Sequence, residues 1–451
     1  MFQFSTSVLN WLCIVLEERF GYSFTLEQNP SGLKLSLVCT PQGYILFPKL
    51  EAAFHQSCSD FPCSQWDAAK AGWISVLGQP LPAPCVSELP EALITQQTDH
   101  AVIHYDILGL TYWMLNRIEE IGRTDLDNHG RFPATSSHAY QNNYLERPVV
   151  DEWLDVLGQV IQKVWPNVSL KQHRFSMKVS HDVDAPSMFG FAQLKQFLRS
   201  MAVSLIKHKN LKSTIVAPWV RLNSSQRLHP ADPYNTLDWL MEVSEAYNLT
   251  SAFYFICGRT SNMDADYEPE HPAIRDLMRR IHERGHEIGL HPSYGTYQRP
   301  EFIQQEAERL RQVMQEEGIQ QEKLGGRMHY LRWEHPITLQ AWNDAGMTYD
   351  STLSYADLPG FRCGTCFEYP AYNPLTDKLL QIRIRPLVVM ECTIIADRYM
   401  GLGYGVEAEN KFTELKDKCR KVKGCFTLLW HNSHFTNALD KKIYKRIIRE
   451  N

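Results

Sequence analysis

Two rhythms of apolar and polar positions divide the chain. Up to about residue 170 they are mixed. Val8–Arg19 has helical spacing, Leu33–Val38 and Gly43–Phe47 read as strands, and Asp106–Ile121 puts Ile107, Leu110, Trp113 and Met114 on one helical face. Glu152–Val164 reads as a further helix. The Pro-rich segment Gln79–Cys85 reads as a turn or extended linker, and the polar span Asp125–Phe132 as a turn-rich loop. From about residue 172 the rhythm becomes regular. Strand-like runs (Phe175–Ser180, Ser251–Ile256, Glu287–Leu290, Gly326–Leu331, Gln381–Met390, Gly424–Trp430) alternate with helical stretches (Thr236–Tyr247, Ala273–Arg284, Glu301–Glu317, Pro336–Ala345). This alternation predicts an α/β architecture, most economically a closed or nearly closed (β/α) barrel over 171–451. A smaller mixed α+β domain over 1–170 precedes it.

In such a sheet chemistry gathers at the C-terminal strand ends. Asp182 and Asp184 sit at one. They are two apart on an extended chain and share a side, where two carboxylates are costly without a cation, a shared proton or hydrogen bonds. Alone, an Asp-x-Asp pair is an ordinary acidic turn. Other predicted strand ends carry matching groups, however. His291 closes Gly285–His291, Arg327 and His329 fall two apart on one predicted strand, and the apolar run Cys425–Trp430 delivers His431. Any one of these histidines would read as a surface or core residue. As a series they point to metal chemistry, because neutral imidazole and carboxylate are ligands of a catalytic ion that keeps a position open for water.

Composition narrows the class. The 451 residues are 44% hydrophobic and 22% charged, a globular balance. A net charge of −5 without a long basic run argues against nucleic acid and anionic membrane as partners. The apolar stretch Val8–Leu16 has no preceding Lys or Arg and runs into Glu17-Glu18-Arg19, unlike a signal peptide, and it is too short to span a bilayer. An odd count of eleven cysteines suggests free thiols in a reducing compartment, hence a cytoplasmic protein. Cys363 and Cys366 form a C-x-x-C without a second pair, so a structural or incidental role is expected rather than a zinc site. Aromatic residues suit stacking on sugar rings, but most belong to the core.

Residues 172–435 resemble the polysaccharide deacetylases of carbohydrate esterase family 4. The likeness rests on Asp182 and Asp184, the strand Ser251–Ile256, Gly285–His291, Arg327 and Leu428–His431, in that order. The resemblance implies a distorted (β/α) barrel that removes N- or O-acetyl groups from a sugar or glycan precursor using a divalent metal, with Zn2+ the expected ion. It implies Asp184 and His291 as metal ligands, Asp182 as general base oriented by Arg327, and His431 as general acid. Two departures stand out. The family's second motif places a histidine four residues after His291, where this chain has Gly295, and His329 stands where proline is usual. His329 is the expected third ligand, against the alternative that it only hydrogen-bonds in the pocket. A catalytically silent glycan-binding barrel and another metal-dependent amide hydrolase are the competing readings. Residues 1–170 resemble an uncharacterised domain found ahead of bacterial deacetylases, through Asn116–Glu120, His129–Phe132 and Arg147–Asp151. That likeness implies no activity.

Overall fold

Two large sheets of different character and one two-stranded ladder appear in the computed structural model, which describes residues 3–40, 42–191, 194–206, 211–435 and 438–449. The first has five strands in the order Phe24–Asn29, Gly32–Leu37, Tyr44–Phe47, His100–Ile103, Ile94–Gln96. The helix Thr6–Phe20 packs its Trp11, Leu12 and Leu16 into the core beside this sheet. The Pro-rich segment is extended, as expected. It is also paired, Leu81–Pro84 running antiparallel to Cys63–Trp66, which prolines allow in a ladder with a free edge.

The second sheet has nine strands. Eight run parallel in the order Lys378–Ile384, Tyr349–Asp350, Gly325–Gly326, Glu287–His291, Ser251–Ile256, Ser176–Val183, Cys425–Leu429, Val389–Met390. Tyr369–Asn373 adds an antiparallel edge. Every residue of Ser251–Ile256 is buried, the signature of a parallel strand covered on both faces. Helices Leu237–Ala246, Pro272–Glu283, Pro300–Glu316 and Ile337–Asp344 lie within two residues of the periods that predicted them.

Two expected strands need correction. Gln381–Met390 is two pieces. Its first part pairs with Tyr349–Asp350 at one end of the parallel run, and its last part with Cys425–Leu429 at the other. Gly326–Leu331 is a strand only at Gly325–Gly326. A β-carbon at Gly326 would collide with the Leu290 backbone, and one at Gly325 with the Tyr349 ring. Beyond them the chain turns, with Tyr330 at φ 62° and Leu331 at φ 55°. Arg327 and His329 therefore do not share a strand face. A turn delivers them.

The apolar core is continuous across residue 170, running from Phe4 to Ile448. Buried polar contacts cross with it. Trp11 Nε1 donates to the Pro370 carbonyl at 2.8 Å. Arg117 donates to Glu119 and Glu120 at 3.0 and 2.8 Å, and Arg362 closes on Glu120 at 2.9 and 2.5 Å. This network explains why the predicted helix Asp106–Ile121 stops at Leu115. Arg117 adopts a left-handed backbone and turns Glu119 and Glu120 inward instead of to solvent. All eleven cysteines are free, Cys363 and Cys366 buried among them. Among the described residues no helix is long and apolar enough to cross a membrane.

Candidate active site

The strand Ser176–Val183 carries Asp182 and, one residue past its end, Asp184 to the rim of a cleft of about 240 Å³. The next parallel strand but one, Glu287–His291, ends on His291, held 3.3 Å (Nε2) from Asp184 Oδ1 and 3.7 Å from Asp182 Oδ2. The turn after Gly326 runs beside that strand: Arg327 N donates to the Leu290 carbonyl, and His329 N to that of Pro292. It brings His329 Nε2 to 3.8 Å from Asp184 Oδ1. On the other side Cys425–Leu429 delivers His431, whose Nε2 lies 3.7 Å from Asp184 Oδ2. Five of the six residues expected from the sequence thus line one cleft; the sixth, Arg327, does not, but is buried against Asp182.

Their outer partners decide their orientation. His291 Nδ1 contacts the Arg327 carbonyl at 2.6 Å, and His329 Nδ1 the Asp264 carboxylate at 3.0 Å. Both rings therefore turn Nε2 inward, as metal-ligating histidines do. Asp264 is itself pinned by the backbone amides of Thr260, Ser261 and Tyr294. Arg327, 1% exposed, donates to Asp182 Oδ1 (2.7 Å), Ser180 Oγ (2.9 Å), and the Ser351 carbonyl (2.9 Å) and hydroxyl (3.1 Å). Glu391 takes contacts from His431 Nδ1 (2.6 Å) and His434 Nδ1 (2.7 Å), with Cys392 Sγ 3.2 Å from His434. Gly295, where the resemblance led us to look for a histidine, donates its amide to Thr260 Oγ1, and a side chain there would press on Thr260.

The electrostatics follow from these neighbours. Burial alone would raise the Asp184 carboxyl, but His329, His291 and His431 outweigh it and hold it well below the usual range. Burial would depress His291, and Asp182 with Asp184 raise it instead. Burial likewise opposes protonation of His431, and Glu391 and Cys392 hold it well above the ordinary histidine value. His434 is raised to about 9 against burial, through Cys392 and Glu391.

The donor set suits a divalent ion. Asp184 Oδ1 and His291 Nε2 are buried without a hydrogen-bond partner. One atom each of Asp184, His291 and His329 lies within 4.8 Å of the others. Ligands about 2.0–2.1 Å from a tetrahedral zinc sit roughly 3.3–3.5 Å apart, close to the separations found here. His431 stands outside that group, against Glu391, Cys392 and His434. Sequence reasoning missed Asp264 and Glu391. Glu391 directly follows a strand end, so the rule that found Asp182 applies to it. Asp264, in an acidic loop after Ser251–Ile256, gave a weaker signal.

Residues 6–166 match a family of unknown function (DUF7033). No curated protein matches the chain. Among solved structures it is similar to a protein of Mycobacterium smegmatis assigned as a polysaccharide deacetylase, at 14% identity and TM-score 0.39 over 62% of this chain and 84% of that one. Puue allantoinase gives 15% identity and TM-score 0.35 over 63% and 85%. A protein of Pseudomonas aeruginosa PAO1 assigned as a polysaccharide deacetylase gives 16% and 0.33 over 61% and 83%.

Proposed function

We propose that the chain is a metal-dependent hydrolase that removes an N- or O-acetyl group from a sugar or glycan precursor. The observation that carries this reading is the grouping of Asp184, His291 and His329, flanked by Asp182–Arg327 on one side and His431–Glu391 on the other. Asp184, His291 and His329 would hold a divalent ion, Zn2+ being the expected one, which would supply an acidified water and a Lewis acid for the acetyl carbonyl. The chain's own residues do the rest. Arg327 engages Asp182 Oδ1, leaving Oδ2 toward His291 and the cleft, where it can accept the proton of an attacking water. Glu391 keeps His431 protonated on Nδ1 and aims Nε2 into the cleft, from which a proton can pass to the departing amine or alkoxide. Tyr330 and Tyr399 add aromatic surface to the cleft walls, suited to a sugar ring.

The barrel is part of the same proposal. Because the segment 378–390 pairs with both ends of the parallel run, seven chain segments suffice to close the sheet into a distorted (β/α) barrel. The domain boundary near residue 170 is proposed likewise, as a division between two distinct sheets that share one apolar core. Eleven unpaired thiols fit a reducing, cytoplasmic compartment. One feature favours a second reading. Arg398 lines the cleft, and a guanidinium there suits a small amide substrate bearing a carboxylate. Metal analysis of the purified protein, together with acetate release from N- and O-acetylated sugars, tests the main reading. Bound metal that Asp184→Ala abolishes, with acetate released by the parent, is the expected result. Unchanged metal stoichiometry in Asp184→Ala overturns the ligand set, and metal binding without acetate release overturns the substrate class.

A further inference from the structure

Immediately after Asp184 the chain leaves the sheet and does not return to it until Ser251. Two helices, Leu194–Ile206 and Leu211–Asn223, open this excursion. Their base is tied down: Asp232 accepts from Ser187 Oγ at 2.6 Å, Met188 N at 2.8 Å and Phe189 N at 3.2 Å. They share a small apolar cluster of Phe189, Phe197, Ala217 and Val220, separate from the main core. Arg221 covers it, its guanidinium 5.0 Å from the Phe197 ring centre.

The opposite faces of both helices are apolar and bare. Ile215, Trp219 and Leu222, spaced i, i+4, i+7, are 76%, 61% and 76% exposed. Leu198 and Leu205, seven apart on the first helix, are 57% and 43% exposed, and Ile206 beside them 76%. Helical spacing puts each set on one stripe, turned away from the shared cluster. Lys195 and Arg199, both exposed, run along one side of the first stripe.

The charge of the segment is equally one-sided. Between Asp184 and Asp232 there is no Asp or Glu, against seven Lys and Arg, in a chain whose net charge is −5. The whole-chain balance, which argues against an anionic surface, hides this local reversal. At 13 residues each, the two helices are far short of the roughly 20 needed to cross a bilayer. Apolar stripes with flanking cations and no carboxylates are instead the pattern of helices that lie in a membrane interface.

We propose that this helix pair docks the protein onto the surface of an anionic lipid bilayer, independently of the chemistry assigned to the cleft. Its placement next to Asp184 holds the cleft at the lipid surface, since Met188 and Phe191 at its root line a cavity shared with Asp184 and Tyr234.

Flotation of the full chain with vesicles tests this. It should float with vesicles of phosphatidylcholine and phosphatidylglycerol, far less with phosphatidylcholine alone, and less again as salt is raised. The triple variant Ile215→Ser/Trp219→Ser/Leu222→Ser, with unchanged circular dichroism, should partition about 100-fold less or weaker. Lys195→Glu/Arg199→Glu should lose the preference for phosphatidylglycerol, and it decides the matter should the triple variant misfold. A parent chain that stays in solution with every vesicle, or a folded triple variant that binds as the parent does, overturns the proposal. So does a dimer that the triple variant converts to monomer without any vesicle binding, which assigns the stripe to a second copy of the chain.

Discussion

Replacing Arg327 by methionine should expose how the cleft is held together. The guanidinium is 1% exposed and makes four hydrogen bonds of 2.7–3.1 Å, one of them to Asp182, itself 2% exposed. Methionine keeps much of the volume and removes all four. Asp182 is then a buried carboxylate whose nearest compensating group is His291, at 3.7 Å. Breaking one side of a buried pair typically costs about 3–5 kcal/mol, most of it the stranded charge. The charge, rather than lost packing, is the proposed cause, so Asp182→Asn should relieve it. In a double-mutant cycle the two changes together should cost less than their sum by about 1.5–3 kcal/mol. Urea unfolding followed by circular dichroism, with chelator present so that metal binding does not enter, measures all four corners. Additivity within about 0.5 kcal/mol would refute the argument, because the Arg327–Asp182 contact would then carry no coupling.

Three further outcomes are expected. Asp264→Asn should weaken metal binding by about 10–100-fold by releasing His329, and His329→Gln should weaken it at least as much, both read by titration calorimetry. The general acid must be protonated, so on the alkaline side activity should fall as pH rises through the raised value of His431. Glu391→Gln should move that limb to lower pH in the kcat profile, and His431→Ala should cost about 10²–10⁴ in rate. Glu306, whose carboxylate takes both the amide and hydroxyl of Ser293, is raised from the ordinary 4.5 to about 7 by burial. The native state therefore holds its proton more tightly, so the contribution of Glu306 to stability should be fully present below pH 4.5, fall as pH rises to 7 and level off above it; against the parent, Glu306→Gln should remove that component, up to about 3 kcal/mol in chemical denaturation.

Periodicity alone carried much of the architecture. The helical periods of 237–246, 272–283, 300–316 and 337–344 and the apolar run of 251–256 are local properties, because each element must bury its own apolar face whatever its neighbours do. The same holds for Asp182, Asp184, His291 and His431: once strand ends are recognised, strand parity and direction decide which way their side chains point. What the pattern could not supply depends on contacts between distant segments. Gly325–Gly326 reads as the start of a longer strand, yet the close approach of Leu290 and Tyr349 ends it there, and a left-handed turn carries His329 beside His291. Arg117 breaks a helix that its own residues would continue, because buried Glu119 and Glu120 meet it and Arg362 arrives from 242 residues away. Asp264 and Glu391 orient two histidines with which they share no sequence period, and net charge concealed a carboxylate-free basic hairpin. Local spacing determines which face a residue takes. Only the packed chain determines what that face meets, since burial and partner geometry are sums over the whole fold.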